Sequence, residues 1–157
     1  MQKPSAYVHC MLIPMSQHYL LLPNTTIAEV VPMPKLSENT TAGDAVLGFY
    51  HWRDNILPVI DLDALMTDTM PKGHLSRPAH KLCIINGIHT DAQIRLYAAP
   101  CHGVPQLITL NESALQASEN LDDNPWIYSQ LKIGHKIAFI PNLDAIEKHL
   151  QNQLQTP

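Results

Sequence analysis

The chain has 157 residues, a net charge of −4 and only 15% charged side chains, which excludes the basic field that sequence-independent nucleic-acid binding requires. Three scattered cysteines, Cys10, Cys83 and Cys101, describe no disulfide framework, and no secretory leader opens the sequence, so the expected compartment is the reducing cytoplasm. The longest apolar runs, such as 19–23 and 56–60, fall far short of the roughly 20 residues that cross a bilayer, which argues against direct membrane insertion.

Thirteen prolines shorten helices and punctuate strands, so a mainly β protein of short strands is expected. Tyr7 to Pro14 reads as a first strand and Tyr19 to Leu22 as a second, closed by Pro23. Asn24-Thr25 then offers a cap for one helical turn carrying Ile27 and Glu29. Residues 32–44 have loop composition without hydrophobic periodicity. Ala45 to Trp52 and Asn55 to Ile60 read as a β-hairpin around Arg53-Asp54-Asn55, because Asp and Asn tolerate the backbone of tight turns. Leu62 to Met66 is a short helical turn with Asp61 as its N-cap. Residues 67–80, with Pro71, Gly73 and Pro78 among polar side chains, read as a linker.

Beyond the linker, Lys81 to Ile85, Ile94 to Ala99 and Gln106 to Leu110 read as strands, followed by a polar excursion over 111–124. Leu131 to Ile133 and Lys136 to Ile140 flank Gly134-His135 as a second hairpin. Asn142 caps a C-terminal helix over 143–155, on which Leu143, Ile146, Leu150 and Leu154 form one apolar stripe. Packing on the core is the expected role of that stripe, with partner binding as the sharper alternative.

Much of this order is written twice. Asp61-Leu62-Asp63-Ala64-Leu65 lies over Asn142-Leu143-Asp144-Ala145-Ile146 at an offset of 81 residues, and Tyr19 to Val31 lies over Leu96 to Ile108 at an offset of 77. Two echoes in the same order imply one supersecondary unit used twice, with a loop insertion in the second copy. The expected layout is one domain over 1–157, with a first barrel at about 15–70 and a second at about 80–147, divided within the linker.

Nine histidines invite a search for metal ligands, yet no Cys-x-x-Cys, His-Glu-x-x-His or His-x₃-His spacing occurs. His9-Cys10 and Cys101-His102 are neighbours that a strand would point to opposite faces. No nucleophile elbow, phosphate loop or dinucleotide fingerprint is present. No catalytic residue, metal or cofactor is therefore assigned. What remains is binding surface. Glu29 lies among Ile27, Ala28, Val30 and Val31, and a carboxylate in apolar company turns to water or finds a cation. Arg53 is the nearest plausible one. Strand alternation puts Tyr50 and Trp52 on the core side and His51 and Arg53 opposite.

The run Ile27-Ala28-Glu29-Val30-Val31-Pro32, a polar loop, and Val46 to Leu62 resemble the first half of a CheW-like chemotaxis coupling domain. That family's pattern has an acidic residue in a Val-x-Glu-Val/Ile segment, a glycine, an Asn-Leu-Arg-Gly hairpin and a Pro-Val-x-Asp-Leu strand. Glu29, Gly48, Arg53, Pro58, Val59, Asp61 and Leu62 match it. The likeness is strong over 19–66 and weaker beyond, where Ala99 to Pro105 departs from the family's Val-Asp-x-Val-x-x-Val. The resemblance implies two five-stranded, SH3-like barrels related by pseudo-duplication, short helical turns, a C-terminal helix and no catalysis.

Its implied role is an adaptor between the cytoplasmic tip of a methyl-accepting chemoreceptor and a CheA-type histidine kinase. It also implies that Ile27, Glu29, Val30, Gly48 and Arg53 lie near the partner surfaces. His51 and Asp54 join them because His51-Trp52-Arg53-Asp54 replaces Asn-Leu-Arg-Gly at the hairpin. So divergent a chain resembles the accessory CheW-like proteins of type IV pilus (twitching) systems. The rival class is a small enzyme with a site assembled from scattered His, Cys and Asp.

Overall fold

The computed structural model describes residues 6–38, 42–67, 70–75, 77–88, 94–116 and 124–155. Strands β1 (Tyr7–Pro14) and β2 (Tyr19–Pro23) lead through a 3-10 turn (Asn24–Thr26) into β3 (Ile27–Pro32), then β4 (Val46–Trp52), β5 (Asn55–Ile60) and helix α1 (Leu62–Met66). The second half runs β6 (Lys81–Asn86), β7 (Leu96–Cys101), β8 (Gln106–Asn111), α2 (Glu112–Gln116), β9 (Ile127–Ile133), β10 (Lys136–Pro141) and α3 (Leu143–Gln155).

Two of the expected local elements differ. The turn after Pro23 holds only Asn24–Thr26 and has no side-chain cap, so Ile27 and Glu29 lie on strand β3 and not on a helix. The β-branched Ile27, Val30 and Val31 prefer a pleated, half-buried surface, and that preference outweighs the cap-like Asn-Thr. Helix α2 occupies the start of the expected polar excursion; residues 117–123 of that stretch lie outside the described residues.

The strands form two five-stranded sheets, ordered β8-β1-β2-β10-β9 and β3-β6-β7-β5-β4. If β1–β5 is one copy and β6–β10 the other, each sheet takes two strands from one copy and three from the other. The two orders then match position by position. Register agrees as well. Val59 of β5 lies beside Ala98 of β7 in a parallel pair, and the offsets of 81 and 77 map this onto Ile140 beside Leu21. β10 runs parallel to β2 with Ala138 opposite Tyr19 and Phe139 opposite Leu20, which continues to that same pairing.

The duplication is therefore real, but a division within 70–80 does not separate the sheets. Only Asn24–Thr26 lie between β2 and β3, and β3 pairs with β6 and not with β2. The chain crosses from one sheet to the other there, and again through 102–105 between β7 and β8. Caps repeat with the offset: Asp61 Oδ1 accepts from Ala64 N at 3.2 Å, and Asn142 Oδ1 accepts from Ala145 N at 3.1 Å.

Three cores follow from alternation. Leu57, Val59, Leu82, Ile84 and Ala98, with Tyr50 and Trp52 packed on them, fill the curl of one sheet. Cys10, Leu12, Leu21 and Ala138, with Leu131 and Ile140, fill the other. The opposite faces of both sheets meet in a central core that includes Ile13, Leu20, Leu22, Ile60, Ile85 and Tyr97, and α3 inserts Ile146 and Leu150 into it. The helix stripe is thus a packing stripe. Glu147 fixes α3 further, accepting from Tyr97 Oη at 3.0 Å and from Ile88 N at 3.1 Å.

Neither sheet closes as a barrel, contrary to expectation. The open edges of one, β3 and β4, are joined outside the ladder: Ser37 and Phe49 exchange backbone hydrogen bonds of 2.8 and 3.1 Å. Gly48 makes this approach possible at a β-bulge, because a Cβ there would stand 2.4 Å from Ser37 O and 3.1 Å from Leu36 Cβ. Gly48→Ala is expected to cost about 1–3 kcal/mol of overpacking. Urea unfolding measures this, and an unchanged midpoint and slope would contradict the close approach.

Candidate functional site

The edges of β3 and β4 also meet through side chains. Trp52 packs its ring on the core of this sheet and donates its indole Nε1–H to Glu29 Oε2 at 2.7 Å. Arg53, the next residue, stacks over the same ring with its guanidinium carbon 4.4 Å from the centroid, and its Nη2 is 3.8 Å from Glu29 Oε2. The sequence pairs Glu29 with Arg53, but the short bond belongs to Trp52. Alternation alone missed this, since tryptophan on a core face gives no sign that its N–H reaches the rim.

Backbone geometry explains why Arg53 is presented outward. β4 and β5 are joined by the two-residue turn Arg53-Asp54, with Trp52 opposite Asn55, and Arg53 has φ 54°. Its equivalent in the second hairpin is Gly134, with φ 63°. A side chain in this region costs roughly 1 kcal/mol relative to glycine. The Arg53 side chain is 71% exposed, so its ion pair contributes about 0–1 kcal/mol and its ring contact about 0.5–1. These contributions offset the backbone cost without much excess. Arg53 therefore contributes little to folding.

The candidate residues fall on two faces. Glu29 and Arg53 meet at the hairpin next to Asp54, and His51 is exposed on the face of β4 opposite Trp52. Ile27 and Val30 are half-buried and pack on the central core, on the other side of β3. A bulge between Ile27 and Glu29 causes this, because it lets residues three apart share one face. Gly48 is buried beneath the 36–37 segment and shapes the site from below.

The offset of 77 carries Ile27 onto Val104 and Val30 onto Leu107. In the second copy these positions are open, with Val104 68% and Leu107 61% exposed. The repeat could have nominated them. Their apolar side chains, at the turn before β8 and on β8 at the sheet edge, form a second candidate contact surface.

Nothing assembled here resembles a catalytic centre. Cys101 is fully buried, its thiol donates to Gly103 O at 3.4 Å, and the Cys83 thiol donates to it at 3.7 Å. That contact and burial push the Cys83 thiol up. His102 turns its Nε2 toward Asp63 at 3.9 Å. Among the described residues no group of three or more His, Cys, Asp or Glu side chains could hold a metal ion, and no helix is long and apolar enough to cross a membrane.

A sequence profile of the CheW-like domain matches residues 9–151. The chain belongs to the CheW-like domain family. No curated protein matches it. Among solved structures, scaffolding protein TtCheW from Thermoanaerobacter tengcongensis superposes with a TM-score of 0.68 over 88% of this chain and 90% of that one, at 16% identity. That likeness is one of fold. The family consists of non-catalytic scaffolds for chemotaxis coupling, so membership also decides against the enzyme alternative.

Proposed function

We propose that this protein is a cytoplasmic adaptor coupling the cytoplasmic tip of a methyl-accepting chemoreceptor to a CheA-type histidine kinase. Family membership across residues 9–151 is the observation that carries this reading. Two surfaces suit a bridging role. The hairpin presents Arg53 and Asp54 beside the Glu29–Trp52 bond, with His51 on the opposite face of β4, and the second copy exposes Val104 and Leu107. Arginine is enriched among the anchors of such contacts, and exposed apolar side chains mark protein interaction surfaces.

The placement extends to a twitching-motility array of type IV pili, on the altered hairpin His51-Trp52-Arg53-Asp54 and the altered stretch 99–105. Co-capture from a lysate with tagged full-length chain tests both levels. The proposal expects a CheA-type kinase and a receptor together, and in the narrower form the kinase of the twitching system. Capture of the flagellar kinase alone would remove the narrower placement, and capture of neither would remove the adaptor reading.

A further inference from the structure

The contacts around His102 form a joint between the two sheets. Its backbone N–H donates to Pro14 O, at the end of β1, at 2.9 Å. Its ring Nδ1 lies 3.1 Å from Pro78 O in the segment before β6. A carbonyl oxygen only accepts, so Nδ1 carries the hydrogen, and in the neutral ring Nε2 is a bare lone pair. That Nε2 is buried, has no hydrogen-bond partner among the described residues, and faces Asp63 Oδ2 across 3.9 Å. Two electron-rich atoms thus oppose each other across this gap. A proton on Nε2 converts that opposition into a charge-assisted contact.

Asp63 is already tied to the other sheet. Its Oδ1 accepts from Ser16 N at 3.0 Å and its Oδ2 from Ser16 Oγ at 2.5 Å, and Ser16 lies in the β1–β2 turn. We infer that His102 and Asp63 form a proton-operated clasp, which when His102 is protonated holds the β1–β2 turn, α1 and the 78–80 segment together across the junction of the two sheets. This is a pH-sensitive device separate from the docking surfaces, and it does not rest on the adaptor reading.

Other titratable groups also face the joint. Asp61 and Asp63 face the joint from α1 and its cap, and Arg77 lines the same 260 Å³ cavity. His74 lies within electrostatic reach of Asp61, and Lys81 of Cys101. His18, from the start of β2, is the other imidazole at the joint; it is 7% exposed, its Nε2 also lacks a partner, and its ring lies 4.7 Å from Phe139. Burial pushes the His18 imidazole down from its ordinary range; Asp63 opposes this and His102 reinforces it. Because the unfolded chain binds that proton first, His18 removes stability as pH falls below about 6.5. The clasp acts in the opposite sense, and the two must be read separately.

The test is residue-resolved NMR of the full chain labelled with ¹⁵N. At pH 8.5 the long-range imidazole spectrum of His102 is expected to show the Nδ1–H tautomer. Between pH 8.5 and 5.5, protection of the Ser16 amide against hydrogen exchange, corrected for intrinsic rate, is expected to rise about tenfold, the order of a charge-assisted hydrogen bond. Asp63→Asn keeps an acceptor for Ser16 N–H but no charge, and should show no such rise; His102→Gln should behave likewise and serves alone if Asp63→Asn does not fold. An Nε2–H tautomer at pH 8.5, or Ser16 protection that does not rise between pH 8.5 and 5.5, would overturn the clasp.

Discussion

Replacing Leu150 by alanine is expected to destabilise the protein by about 2–5 kcal/mol, the range for emptying a well-packed leucine site. Leu150 and Ile146 are fully buried in the central core, where α3 covers strands of both sheets. The helix cannot easily shift to fill the cavity. Glu147 holds it to Tyr97 and Ile88, and Gln153 accepts from Gly43 N through its carbonyl and from Ala45 N through its side chain, both at 3.1 Å. Lys148→Ala, on the exposed face, should change stability by only about 0.5 kcal/mol. Equilibrium urea unfolding compares the two. A Leu150→Ala loss near that of Lys148→Ala would mean that the helix is loosely held and its stripe is free for a partner.

Changes at Arg53 are expected to separate binding from folding. Arg53→Ala keeps a side chain at φ 54° and removes the ring contact and the long ion pair, so stability should fall by only about 0–1 kcal/mol. Arg53→Gly also relieves the backbone, as Gly134 does at the equivalent turn, and should leave stability equal to wild type or above it by as much as about 1 kcal/mol. Both variants should lose roughly thirtyfold in affinity for a CheA-type regulatory domain or for a receptor signalling-tip fragment, the effect of a hot spot worth about 2 kcal/mol. Thermal unfolding beside titration calorimetry reads both quantities. Unchanged affinity in Arg53→Gly would place docking elsewhere, with Val104 and Leu107 the next positions to change.

Much of the fold was legible because the chain states it twice. The caps Asp61 and Asn142, both hairpins and the helix stripe have local causes, and local causes are visible in sequence. The exchange of strands between copies is not local. Alternation says that Leu21 and Ala98 face a core, but not that each belongs to the sheet built by the other copy. Strand β3 was hidden by Asn24-Thr25-Thr26, which looks like a helix start and is used as a redirecting turn. At the site, Glu29 was legible as a carboxylate in apolar surroundings and Arg53 as the nearest cation for it. Trp52 was not, because its large ring satisfies the core pattern whether or not its N–H reaches a carboxylate. The split of Ile27 and Val30 from Arg53 follows from one bulged residue, and a bulge leaves little trace in composition.

Bridging is the central claim, and a bridge requires two partners bound at once. Sedimentation or mass photometry of the full chain with a CheA-type regulatory domain and a receptor signalling-tip fragment tests it directly. The account predicts a ternary species containing all three, reduced by Arg53→Gly through loss of one partner while the other stays bound. Mutually exclusive binding of the two, or binding of neither by the folded wild-type chain, would contradict it.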